Sequence, residues 1–280
     1  MAIKIKRIAA FAMCLLLVFG LFGLFMLVRK HEQEKEEVAA KEEYEQVTQN
    51  FRDRYFQNKD NLYLLWDGSE FPVVSTGEKL ATVNFRKELT VDWGDGEVTN
   101  GGNTHTYRDD QRYHLIVVSG DIQASDLQNE MFFRCTYLRK VAVPDGTKII
   151  PPGFCNRSGV DEAILPESVE RIGSWAFHED KMEEIKLPNA LKSIGQNAFS
   201  YTNLKVVELP ENVNAIEKEA FLGCTWLKTV RFKGSLPEQI SADIFTNCGH
   251  LSTIIVPRHE FVKYKECSDL SVWNDKIVYE

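Results

Sequence analysis

The chain has 280 residues, 44% of them hydrophobic and 26% charged, which is enough for two folded modules. Its 33 Lys and Arg stand against 41 Asp and Glu, a net charge of −8. That balance leaves no basic footprint of the kind that nucleic-acid binding needs, and such a partner is not expected.

Residues 8–28 are an uncharged run of 21 between Lys4, Lys6 and Arg7 on one side and Arg29 and Lys30 on the other. About 20 apolar residues span a bilayer core, whereas the apolar part of a cleaved signal peptide is about 7–15. The run predicts a signal anchor over 1–30 with a transmembrane helix at 8–28; a long signal peptide is the alternative. No small-x-small cleavage site follows it closely, and Phe11-Ala12-Met13 before Cys14 is a poor lipobox. Basic residues flank both ends, so they do not decide orientation. The seven-residue tail favours a cytosolic N-terminus, with the bulk of the chain extracytoplasmic at a cell membrane.

Residues 31–61 are rich in Glu, Lys and Gln and contain neither Pro nor Gly. High helix propensity and opposite charges at i, i+4, such as Glu37 with Lys41, predict a solvated helical stalk. Apolar positions are too few for a clear heptad seam, and a weak dimerising coiled coil is the competing reading.

Residues 62–121 form a second module. "ELTVDWGDGEVTNGGNTHTY" alternates apolar and polar into a turn, and "RYHLIVVSG" is a further strand. Asp95-Gly96 and Gly101-Gly102-Asn103 are turn chemistry. Trp93-Gly94-Asp95-Gly96, His105-Thr106-Tyr107 and the Tyr113, Leu115, Val117 series resemble the PKD (polycystic kidney disease) domain. The resemblance implies a short extracellular β-sandwich, truncated or divergent.

From 122 to 257 one pattern returns every 22 to 24 residues: L-x-x-I-x-L-P, then V-x-x-I, then A-F, then in some copies x-x-C-x-x-L. Pro144, Pro166, Pro188 and Pro210 fall 22 residues apart. A period in this range predicts a solenoid whose units bury their apolar faces only against neighbours. In L-x-x-I-x-L the last two apolar residues share one face of a short strand, and the Pro ends it. Val169/Ile172, Leu191/Ile194 and Val213/Ile216 line the opposite wall. Phe177, Phe199, Phe221 and Phe245 stack between coils, and Cys135, Cys224 and Cys248 fill the core in register.

"LPESVERIGSWAF", "LPNALKSIGQNAF" and "LPENVNAIEKEAF" resemble the BspA-like leucine-rich repeat family, a β-rich solenoid of microbial surfaces. The last stretch, 258–280, is similar to that family's terminal cap. The resemblance implies a mainly β chain: a short PKD-like sandwich, then the solenoid, behind a transmembrane helix and stalk. It implies non-enzymatic adhesion to a protein or matrix partner. A glycan-binding module or a purely structural scaffold are the alternatives.

Chemistry is sparse. Asp92 and Asp95 do not match a calcium loop and read as turn caps. His105 reads as packing on Trp93 or Tyr107, and Glu179-Asp180 as solvated loop acids. The cysteines lack C-x-x-C spacing, so neither zinc nor another metal is expected, and no cofactor is. Cys224 and Cys248 occupy equivalent places in adjacent coils, as reduced core thiols or, alternatively, a disulfide.

The best candidate surface is the exposed face of the strand ladder: Glu184, Lys186, Val206, Glu208, Thr229 and Arg231. Strands about 4.8 Å apart would set Lys186, Glu208 and Arg231 in a ladder of alternating sign. Such pairs stabilise a sheet whether or not they recognise a ligand. A glycan site would instead need exposed coplanar aromatics, for which Trp175, Tyr201 and Trp226 are the candidates.

Overall fold

The computed structural model describes residues 2–68, 79–108 and 112–280, with side chains except those of 2–25, 27, 79–84 and 103. The chain divides into two units, Met1–Asn50 and Phe51–Glu280.

The expected transmembrane helix at 8–28 is corrected. That stretch opens one helix, α1 (Ala2–Gln57), which runs without a break into the charged stretch. Among the described residues no helix is long and apolar enough to cross a membrane. The side chains of 8–25 lie outside the described residues; beyond Val28 the helix carries Arg29, Lys30 and the Glu- and Lys-rich stretch, too charged for a bilayer core. Further along, Lys30 pairs with Glu34 and Lys41 with Glu45, one turn on from the expected Glu37 partner.

In the second unit the last turns of α1 are not solvated as a stalk would be. Phe51 and Tyr55, four apart on one face, are buried, and Tyr55 meets the Tyr63 ring edge-on at 6.1 Å. Strands β1 (Leu62–Asp67), β2 (Lys79–Asp92), β3 (Val98–Tyr107) and β4 (Tyr113–Ser119) follow. The expected sandwich is also corrected, because among the described residues these strands lie in one sheet. That sheet continues into the solenoid strands β5 (Leu138–Ala142) and β7 (Glu162–Ile164), in the order β3-β2-β4-β1-β5-β7. β1 pairs antiparallel with β5, and β5 pairs parallel with β7. An open ladder edge invites aggregation, and β1 covers the first edge of this one. Trp66 of β1 is fully buried there, its ring edge-on to Tyr137 at 5.0 Å.

The solenoid has two walls. One is a ladder of two-residue strands, β6 (Ile149–Ile150), β8 (Arg171–Ile172), β9 (Ser193–Ile194), β11 (Ala215–Ile216) and β13 (Gln239–Ile240), in the order β13-β11-β9-β8-β6. It sets Ile150, Ile172, Ile194 and Ile216 in parallel register, as the V-x-x-I column predicts. The other wall is β10 (Val206–Leu209), β12 (Thr229–Phe232), β14 (Thr253–Val256) and β15 (Ile277–Tyr279). β15 closes that ladder parallel to β14, with the short helix α2 (Phe261–Glu266) between them in sequence.

Between β7 and β10 the coil 182–188 forms no strand, although its sequence repeats the motif. It is tied by Lys181 N–H to Val160 O (2.8 Å), by Lys205 N–H to Glu183 O (3.0 Å), and by Lys186 and Asn189 to Glu167.

Between the walls the phenylalanines stack. Phe177, Phe199 and Phe221 lie 5.5 and 5.4 Å apart with planes within 11°, and Phe245 follows at 5.8 Å. Each coil turns two corners in left-handed backbone with φ of 55–68°. One column holds Glu130, Gly153, Trp175, Asn197 and Glu219; the other holds Arg134, Arg157, Glu179, Tyr201, Gly223 and Asn247. Such a backbone costs a bulky side chain roughly 1–2 kcal/mol, and only Gly or Asn adopts it cheaply.

Candidate binding surface

The β10–β12–β14 wall alternates as its sequence requires. Val207, Leu209, Val230, Phe232, Ile254 and Val256 are buried, while their neighbours face out. Val206 lies opposite Thr229 and then Thr253; Glu208 lies opposite Arg231 and then Ile255. Glu208 sits 3.6 Å from Arg231 and 2.7 Å from Lys233, and the Lys233 hydrogen bond holds its carboxyl below the usual range. Arg231 also pairs with Glu280 beyond β15.

Lys186 stands apart from this ladder. It is 87% exposed at its side chain and pairs with Glu167 at 3.1 Å rather than with Glu208. The Asn189 backbone N–H and then Lys186 hold the Glu167 carboxyl below its usual range. The six predicted residues therefore fall into two sets. Val206, Glu208, Thr229 and Arg231 form one continuous strip. Glu184 and Lys186 instead line a groove of about 720 Å³ running past Tyr55, Phe56 and Glu162.

That groove was not foreseen. Its far wall is the end of α1, where Phe56 is 62% exposed and Lys59 lies 5.5 Å from its ring centre. Arg52 reaches Glu162 at 2.7 Å, and Lys140 holds Asp161 at 2.8 Å and Glu162 at 3.1 Å. Burial, then the Asp145 charge, pushes the Tyr55 hydroxyl up to about 12. The signal was available: Phe51 and Tyr55 are an apolar i, i+4 pair in an otherwise charged run.

In the first sheet, Asp92 and Asp95 accept from the backbone N–H of Gly94 and Glu97 at 3.0 and 3.1 Å, as turn caps do. His105 stacks on Trp93 at 4.8 Å and 10°, and its Nε2 meets Asp95 Oδ2 at 2.7 Å. Burial alone would raise the Asp95 carboxyl, but the His105 hydrogen bond and the Glu97 N–H carry it below its ordinary value.

Inside the solenoid a polar column departs from expectation. Glu179 turns outward, but Asp180 is buried and accepts the Ser158 hydroxyl at 2.7 Å. His178 Nδ1 lies 2.6 Å from Ser200 Oγ, and its Nε2 lies 3.0 Å from Glu179. That order of groups is the order of a nucleophile, base and orienting acid. Ser200, however, is fully buried and donates its hydroxyl to Asn197 O of its own coil at 3.0 Å, and its contact with His178 ties two coils together. Cys135, Cys155, Cys224 and Cys248 are buried free thiols; Cys224 and Cys248 point at the carbonyls of Phe199 and Phe221, each at 3.1 Å. Burial, then the neighbouring Asp180, pushes the Cys155 thiol far up.

Residues 147–267 match the BspA type leucine-rich repeat region in six copies. A leucine-rich repeat protein from Bacteroides ovatus ATCC 8483 is 30% identical over 47% of this chain and 34% of its own, with a TM-score of 0.39. The pneumococcal vaccine antigen PcpA is 22% identical over 52% of this chain and 44% of its own (TM-score 0.39). The T. pallidum leucine-rich repeat protein is 24% identical over 54% and 77% (TM-score 0.40). This chain thus spans less than half the length of the first two. No curated protein matches it.

Proposed function

From a chain that carries a BspA-type leucine-rich repeat region over residues 147–267, we propose a cell-surface protein that binds a protein or matrix partner without chemistry. The observation that carries this reading is the strip of Val206, Glu208, Thr229 and Arg231, in register and bordered by Thr253 and Ile255. Its side chains are mixed polar and apolar, and the rigid wall beneath holds them, so little conformational freedom is lost on binding. Glu184 and Lys186 extend the surface toward the α1 groove. In this reading the antiparallel module ends near 121 and the repeats near 257, where the cap begins.

The test compares the full chain with a Lys186→Ala/Glu208→Ala/Arg231→Ala variant, each immobilised and exposed to a cell-surface protein extract. Exposed ion pairs contribute about 0–1 kcal/mol each, so the variant's melting temperature should drop by only a few degrees. The account expects a retained protein to be lost with the variant. Equal retention by both chains would remove the strip from the proposal.

A further inference from the structure

We propose that the turn edge of the solenoid carrying Trp175, Tyr201 and Trp226 is a platform for a linear polysaccharide of flat, equatorially linked pyranoses. This surface is distinct from the strand-face strip and does not rest on it.

The three rings stand one per coil in successive coils and are 39%, 50% and 52% exposed. Trp175 and Tyr201 both occupy left-handed backbone, with φ of 61° and 59°. Arg157, Glu179 and Glu219 hold the same corners in other coils, so these corners turn side chains to the surface and here the side chains are aromatic.

The edge is also built to be rigid. His178 lies between the first two rings, edge-on at 4.6 Å to Trp175 and 5.7 Å to Tyr201. Tyr201 then lies over Gly223 of the next coil, where a Cβ would come within 2.6 Å of the ring. Three residues on, Trp226 stacks on His250 at 5.5 Å with planes 4° apart, and His250 Nδ1 meets Thr225 O at 2.5 Å. The three rings sit at different points of their coils, Trp175 in one corner column, Tyr201 in the other with Glu179 and Gly223, and Trp226 three residues beyond Gly223, so they trace a diagonal along which one polymer can cross successive coils.

The surroundings favour a sugar over a protein. Pyranose C–H faces are apolar and their rims are hydroxyls. Between the first two rings His178 meets Glu179 at 3.0 Å, Glu179 pairs with Arg157 at 3.0 Å, and Asn203, two residues after Tyr201, is exposed. These supply donors and acceptors but break the contiguous apolar centre that a protein interface builds.

The test is affinity gel electrophoresis of the full chain through glycol chitin or hydroxyethyl cellulose, two soluble β-1,4-linked polymers that distinguish an N-acetylglucosamine from a glucose source. Retardation by either is expected; retardation by neither overturns the proposal. Tyr201→Asn and Trp226→Ala should each weaken binding by at least about ten-fold, the scale of an interface hot spot. Asn suits left-handed backbone, so Tyr201→Asn should keep its melting temperature. If it melts early, Trp226→Ala decides alone, and binding retained there overturns the proposal. The Lys186→Ala/Glu208→Ala/Arg231→Ala variant should bind glycan normally; its loss would show that the turn edge is not the site.

Discussion

Phe199→Ala is expected to lower the melting temperature by roughly 10–30 °C. Its ring is fully buried and stacks on two others, at 5.5 Å from Phe177 and 5.4 Å from Phe221. Truncating a core Phe costs about 3–5 kcal/mol, and each aromatic pair adds roughly 0.5–1.5 kcal/mol beyond area. A solenoid coil touches only its neighbours, so nothing remote compensates for the cavity. At about 2–4 °C per kcal/mol for a domain this size, the loss falls in that range. Near-ultraviolet circular dichroism during heating checks it. The same logic allows the melt to split at this coil. A shift under about 3 °C would mean that the stack does not hold the repeats together.

Asp180→Asn is expected to stabilise the protein at neutral pH and to lose that advantage in acid. Burial pushes the Asp180 carboxyl well above its ordinary value, against the pull of the Ser158 hydroxyl and the Ser158 and Val160 backbone. Its Oδ2 meets no hydrogen-bond partner among the described residues. In the unfolded chain the group ionises near about pH 3.9. The folded protein therefore holds the proton more tightly than the unfolded one. Its stabilising contribution is full below that pH and is lost as pH rises through the raised folded value. Asn keeps the acceptor for Ser158 and cannot ionise. Denaturant midpoints of both chains at pH 4 and pH 8 test this: the gap should be wide at pH 8 and narrow at pH 4. Parallel midpoints would show that Asp180 is solvated after all.

Much of the solenoid could be read from residues, because its determinants are local and repeat. The two-apart pattern in Val207/Leu209 and Val230/Phe232 forces one buried face, and the Phe column follows from a fixed coil length. What escaped depends on long-range pairing or on fine direction. Nothing near Leu62 indicates that β1 will pair with β5 some 80 residues on and turn the preceding module into the ladder's cap. The interruption at 182–188 carries the same motif as its neighbours, so only the side-chain ties to Glu167 distinguish it. Glu179 and Asp180 look alike as adjacent acids, yet left-handed backbone at Glu179 turns it outward and sends Asp180 into the core. The apolar N-terminal run has the length of a span, but one helix continues from it into charged sequence. Of the candidate strip, alternation placed Val206, Glu208, Thr229 and Arg231, but the partner of Lys186 could not be read from spacing alone.

The most direct test of a surface-exposed binding face is labelling of intact cells with a membrane-impermeant amine reagent, followed by peptide mapping. Lys186, 87% exposed at its side chain, and Lys205, at 50%, should be modified on intact cells. Modification only after lysis would place the repeats away from the outer surface and contradict the account.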